Sequence, residues 1–243
     1  MKFYLDHEWF IDTTKGIDLS IGISPNGVQA WYLNAPIFSP VMENGFVGSV
    51  ELGGPVNFRN VSFNPHGHGT HTESHGHISR ELFPVSRCFN SFFFEAELIS
   101  IIPEKQGEDR LITPKDLFNI KPCEALVIRT LPNGKDKYNI NYSNTNPPYM
   151  DVACVKILND LGVKHLLIDL PSVDKEVDGG VLAFHHAYWN VPQQADESRT
   201  ITELIYVPNH AVDGRYILEL QLANFENDAA PSRPILYKKE RKL

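Results

Sequence analysis

A chain of 243 residues is long enough for one large core or two small ones. Its net charge is −8 and its basic residues gather only at positions 238–242, read as a solvated end, which excludes a binder that tracks nucleic-acid phosphates. No apolar run could span a bilayer, residues 1–10 hold no apolar signal core, and Cys88, Cys123 and Cys154 stand apart without disulfide or CxxC spacing; a cytoplasmic protein with no membrane partner is expected.

Short strand-like runs dominate. Residues 17–23 alternate apolar with polar or small side chains. Residues 92–102 begin as a buried run and then alternate. Residues 125–130 and 165–169 read as interior strands, and 215–222 alternate throughout. Thr113 and Pro114 mark the start of a short helix, as cap and first-turn residue. Residues 135–148 are polar and end in prolines, and read as a lid or a loop reaching a neighbouring subunit. The clearest helix covers 150–161, where Met150, Ala153, Cys154, Ile157, Leu158 and Leu161 make one apolar stripe and Gly162 supplies a stop. A third helix is predicted through 183–188. With no Gly/Ser-rich linker, residues 1–243 read as a single mixed α/β domain, richer in strand than in helix.

Residues 64–77 carry five of the ten histidines, together with Glu73. Imidazole and carboxylate hold zinc or manganese in hydrolytic sites that keep a position open for water. Gly67 and Gly69 let the backbone turn and approach a ligand. If the stretch is extended, His71, Glu73, His75 and His77 share one face. The competing reading is a polar surface strand with chance histidines. One strand rarely closes a metal site, and His185, His186, Glu197 and Glu203 are the candidates for the other half. Neighbours on a helix point about 100° apart, so one of His185 and His186 reaches the site. Glu203 shares strand parity with Ile201 and Ile205, and a carboxylate on an apolar face needs compensation, by a metal or a salt bridge.

These residues carry a resemblance. Asp18-Leu19-Ser20, Gly69-Thr70-His71-Thr72-Glu73 with His77, and Asp169-Leu170-Pro171-Ser172-Val173-Asp174 come first. His185, Glu203, Asp213-Gly214 and Pro231-Ser232-Arg233-Pro234 follow in order. The chain resembles the cyclase-type metal-dependent hydrolases, a family best known for bacterial kynurenine formamidases. That resemblance implies a β-rich core with flanking helices, of the swivelling β/β/α type, and one or two Zn2+ or Mn2+ ions per chain. It implies His71, Glu73, His185 and Glu203 as metal ligands and His77 as general acid/base, a role suited to imidazole chemistry. The family's first histidine falls at Gly67 here, between His66 and His68, and His66 is the favoured substitute. Glu73 stands where the family has aspartate, and His75 where it has proline. Trp31, Tyr32, Phe38 and Phe46 fall where the family builds its entry loops, and Trp31 is the expected substrate contact.

The implied activity is metal-assisted hydrolysis of an amide, a formamide or cyclic amide, or a related carbonyl in a small molecule. The implied assembly is a homodimer or homotetramer. No G-x-S-x-G motif offers a serine nucleophile. The alternative is a module of the same fold that binds metal or a small ligand without turnover.

Overall fold

The computed structural model describes residues 1–242. Seven strands make its framework: β1 (His71–Glu73), β2 (Phe93–Ile101), β3 (Ala125–Thr130), β4 (His165–Ile168), β5 (Thr200–Glu203), β6 (Gly214–Leu222) and β7 (Ala229–Arg241). They pair in the order β7-β6-β2-β3-β4-β5-β1, and β1 pairs back onto β7, so the sheet closes on itself. The run β2-β3-β4-β5 is parallel and the other pairings are antiparallel. Closure leaves these strands few free edges.

Side-chain alternation divides the apolar residues between two cores. Phe94, Leu98, Val127, Leu167, Leu218 and Leu236 point into the barrel. Leu126, Ile128, Leu166, Ile168 and Ile201 point outward, under α1 (Cys154–Leu161) and α2 (Ala183–Trp189). β3 is covered on both faces and buried at all six positions: residues 125–128 are apolar, and the closing Arg129 and Thr130 donate to Asp213 and Asp169. The architecture is therefore mixed α/β, strand-rich with few helices, as the sequence predicts.

Several boundaries shift. Residues 17–23 contribute only Ile17–Asp18 as strand, although Leu19 and Ile21 are buried. The helix predicted over 150–161 begins at Cys154: the Met150 amide donates to the Val173 carbonyl and the Asp151 amide to the Ile112 carbonyl, so these two residues join a sheet edge. Gly162 ends α1 with φ 77°, as expected. The short helix after Thr113 is a 3-10 turn with Thr113 and Asp116 in a capping box. Residues 238–242 are not a loose tail. β7 runs on to Arg241, pairs with the strand Trp9–Asp12, and sets the Lys239 ammonium 2.7 Å from Glu95.

Residues 37–62 leave the barrel as a separate arm. Ile37–Pro40 pairs with Arg59–Ser62, and Met42–Glu43 with Phe46–Val47. Predicted entry residues Phe38 and Phe46 lie on this arm.

Candidate metal centre

The site forms on the outer face of the barrel, where β1 and β5 run side by side beneath α2. Register puts His71 opposite Glu203 and Glu73 opposite Ile201, so the four share one face. Thr72 and Thr202 point the other way, their hydroxyls 2.8 Å apart. The strand breaks just after Glu203, where Leu204 has φ 54°. That reversal sends Ile205 into the barrel core, so Ile205 does not share the face of Glu203, contrary to the simple parity argument.

Glu73 is the centre of the cluster. One oxygen lies 2.9 Å from His66 Nδ1 and the other 3.1 Å from His185 Nε2. His71 Nε2 is 3.5 Å from Glu203, whose second oxygen accepts from the Val173 amide at 3.1 Å. His185 comes from α2, and its Nδ1 sits 2.6 Å from Asp174. That carboxylate fixes the ring so that Nε2 faces Glu73. Asp174 also accepts from the Phe184 and His185 amides, tying down the first turn of α2.

His77 does not follow from an extended strand. β1 ends at Glu73, and His75–His77 form a 3-10 turn capped by Ser74, whose hydroxyl accepts from the Gly76 amide. The turn swings His75 away from the site, its Nδ1 2.9 Å from the Ser79 hydroxyl and its ring 4.4 Å from Phe83. It returns His77 to the site, 4.3 Å ring to ring from His66 and 5.7 Å from His185. The expected single face of four side chains therefore holds for His71 and Glu73, with His77 restored by the turn and His75 lost.

The two open pairs separate cleanly in space. His66 lies in the cluster, while His68 spans from the Asn64 amide to the Asn34 carbonyl, 2.8 Å from the latter. His185 lies in the cluster, while His186 Nδ1 is held 3.1 Å from the Val191 carbonyl. Glu197 is exposed and lines a different cavity with His75 and His186, so it takes no part. A Cβ on Gly67 would lie 2.5 Å from the end of the Leu33 side chain, which would have to shift, and 3.1 Å from the Ala30 carbonyl oxygen.

The sequence reading missed Asp228. Its carboxylate is 2.8 Å from His66 Nε2 and 3.5 Å from His77 Nδ1. No spacing marks it. It arrives through tertiary register, because Ala229, the next residue, pairs with Glu73 across β7 and β1.

The electrostatics favour a cation. Burial alone would depress His66, but Asp228 and Glu73 outweigh it and push the imidazolium up to about 10. Burial is likewise outweighed at His185, which Asp174 and Glu73 push up to about 10. Burial and the neighbouring Glu73 charge raise Glu203, with His71 opposing. His71 Nε2 and Glu73 Oε2 are buried with no aligned hydrogen-bond partner. A buried His71 Nε2 without a partner and a Glu73 oxygen met only by the His66 imidazole at 2.9 Å, out of hydrogen-bond alignment, fit a divalent ion. Three sets of ligand atoms each fall within 4.8 Å: His66, His71 and Glu73; Glu73, His77 and His185; His66, His77 and Asp228.

A pocket of about 340 Å³ opens beside the cluster, lined by Trp31, Leu33, Asn64, His66, His77 and Leu182 among others. Its walls carry strain: Trp31 has φ 62° and Leu182 φ 45°, a left-handed backbone that side chains disfavour. Tyr32 turns outward, with its hydroxyl 3.1 Å from Glu176. The excursion at 135–148 packs alongside, its Ser143 hydroxyl accepting from the Tyr32 amide.

A family model described as putative cyclase matches residues 17–175. The kynurenine formamidase of Bacillus anthracis is 26% identical over 230 residues, covering 92% of this chain and 98% of the relative. The kynurenine formamidase of Bacillus mycoides (strain KBAB4) matches to the same extent. A structure described as a potential metal-dependent hydrolase with cyclase activity superposes with TM-score 0.66 at 16% identity, over 93% of this chain and 98% of the other. An isatin hydrolase bound to the product analogue thioisatinate superposes with TM-score 0.66 at 12% identity, over 93% of both chains. Both share this chain's fold.

Proposed function

The chain belongs to the cyclase family, and from that premise we propose a metal-dependent hydrolase that cleaves a non-peptide C–N bond in an aryl formamide or cyclic amide. The observation that carries this reading is the pair of buried ligand atoms on His71 and Glu73 without aligned partners, in a cluster whose His66, His77, His185 and Glu203 line an apolar-walled pocket. The relatives named above hydrolyse such bonds by name: kynurenine formamidase and isatin hydrolase. The same premise supports the swivelling β/β/α class for the barrel and one domain over residues 1–243. The last strand's return to the N-terminal strand Trp9–Asp12 agrees with a single unit.

His66, His71, Glu73, His185 and Glu203 would hold one or two Zn2+ or Mn2+ ions. When bound, such an ion polarises the substrate carbonyl and makes water a nucleophile near neutral pH. His77 is the most exposed of the four clustered imidazoles, at 32% side-chain exposure, and borders the pocket. We assign it proton transfer to the leaving nitrogen as the C–N bond breaks. Asp228, 3.5 Å from His77 Nδ1, orients that ring. Asp174 keeps His185 directed at Glu73. Trp31, Leu33 and Leu182 give the substrate an apolar wall and exclude water, while Asn64 and Ser172 offer polar contacts.

The three cysteines are buried and unpaired, which supports a reducing, cytoplasmic setting. No helix among the described residues is long and apolar enough to cross a membrane. The exposed apolar arm supports assembly into a homodimer or homotetramer.

The test is metal content by elemental mass spectrometry, paired with hydrolysis of N-phenylformamide before and after chelation. One or two ions per chain and chelator-sensitive turnover are expected. Bound metal with no turnover on any formamide or cyclic amide would favour the non-catalytic binding module.

A further inference from the structure

Trp31 and Tyr32 are consecutive residues with φ 62° and 58°, neither of them glycine or asparagine. A left-handed backbone is disfavoured at any residue with a side chain, so two in succession persist only where the surroundings over-determine them. The contacts that do so converge on one side chain. Glu176 Oε1 accepts from the Tyr32 hydroxyl at 3.1 Å and from the Asn144 amide at 2.6 Å. Its Oε2 accepts from the Asn146 amide at 3.0 Å. The same 141–147 stretch holds the strained turn a second time, since the Tyr32 amide donates to the Ser143 hydroxyl at 2.9 Å. Trp31 packs against the buried cluster that holds Tyr142, and Tyr142, Pro147, Pro171 and Glu176 line one small cleft beside it.

We propose that Glu176 is a positioning residue that sets the Trp31 wall of the substrate pocket, and so governs which acyl or aryl group fits. It touches neither the reacting atoms nor the metal cluster. It ties three chain segments together: the turn at 31–32, the excursion at 141–147, and its own segment, two residues past Asp174. That last link matters because Asp174 orients His185. One short segment therefore fixes both a candidate ligand and the wall that faces the substrate. The polar excursion that reads in sequence as a lid acts here as the buttress of that wall.

The role in specificity rests on the hydrolase reading above; the structural link does not. Two measurements separate them. In amide hydrogen exchange on the full chain, Glu176→Ala should speed exchange at residues 30–33, with the barrel strands as protected as in the wild type. Unchanged exchange at 30–33 would overturn the proposal whatever the enzyme does. With N-phenylformamide, Glu176→Ala should raise KM about tenfold and hold kcat within about twofold, because uniform binding is lost and the chemistry is not. Glu176→Gln, which still accepts from a backbone amide, should recover part of that loss. Trp31→Ala should raise KM similarly, and adding Glu176→Ala to it should raise KM no further, since the two act through one wall. A fall in kcat at unchanged KM, or full additivity of the two substitutions, would overturn the assignment. If the wild type cleaves no formamide or cyclic amide, the hydrolase reading fails and the exchange experiment still decides the structural link.

Discussion

Each clustered imidazole is held differently, and the differences predict different losses. His71 is fully buried, with Nδ1 3.1 Å from the Gly69 carbonyl and Nε2 turned to Glu203 without an aligned partner. His71→Ala should abolish stoichiometric metal binding, read by elemental analysis after dialysis against Zn2+ or Mn2+. It removes a proposed ligand and leaves buried Glu203 without its nearest imidazole. His77 is partly exposed on a turn, and the remaining ligands do not depend on it for their orientation. His77→Ala should therefore keep its metal and lose turnover by roughly 10²–10⁴, the usual worth of a positioned acid or base. Loss of metal in that variant would make His77 a ligand and remove the proposed division of labour. Asp228→Asn tests the residue that no sequence pattern revealed. It keeps the shape and removes the charge beside His66 and His77, so kcat should fall while metal content holds.

At the scale of elements, the site depends on where strands and turns end. β1 stops at Glu73, β5 at Glu203, and α2 begins right after Leu182, itself left-handed at φ 45°. Gly162 offers a clean measure of such a terminus. It closes α1 at φ 77°, and a Cβ there would meet nothing within 4 Å. Gly162→Ala therefore costs only backbone strain, about 1 kcal/mol in urea unfolding; an unchanged midpoint would mean the α1 terminus relaxes freely. β4 carries a second prediction. Burial, aided by the Lys164 charge, pulls His165 down to about 4, with Nδ1 2.9 Å from the Thr200 hydroxyl and the ring 4.1 Å from Phe94. The unfolded chain takes up this proton near 6.5 and the folded chain only near 4, so between those values the unfolded state binds more protons. Stability present above pH 6.5 is thus lost as pH falls toward 4, by up to about 3 kcal/mol for this group. Unfolding free energies of the wild type and His165→Leu, measured from pH 7 to 4, should converge in acid by that order. Parallel curves would mean that His165 titrates normally.

At the scale of the whole molecule, the legible part of the sequence was the part with a period. The strands at 93–101 and 214–222 follow from alternation, the strand at 125–130 from its continuous apolar run, and α2 from its apolar stretch. His66, His71, Glu73 and His185 follow from residue type and order, and all lie in one cluster. Asp228, the 3-10 turn that discards His75, and the break after Glu203 are products of tertiary register, which no local pattern encodes. The arm at 37–62 was illegible for another reason: its apolar side chains look like core. They are instead exposed, with Ile37 at 61%, Val50 at 55%, Leu52 at 62% and Phe58 at 58%. The arm carries only Glu43, Glu51 and Arg59 as charges, so it suits neither an acidic nor a basic partner. A second copy of the same surface suits it. A stable dimer covers roughly 800 Å² on each partner, and the arm's exposed apolar side chains would contribute to such a face. Its two ends also lead to Leu33 and Asn64 in the pocket wall, so assembly would brace the substrate site. Light scattering at micromolar concentration should therefore give a mass at a multiple of 27.5 kDa. Leu52→Glu with Val50→Glu, both at exposed positions and harmless to the isolated fold, should return the single-chain mass and raise KM with the metal still bound. A wild type that scatters as one chain, or a variant that stays assembled, would leave the arm's exposed apolar surface without a partner of its own kind.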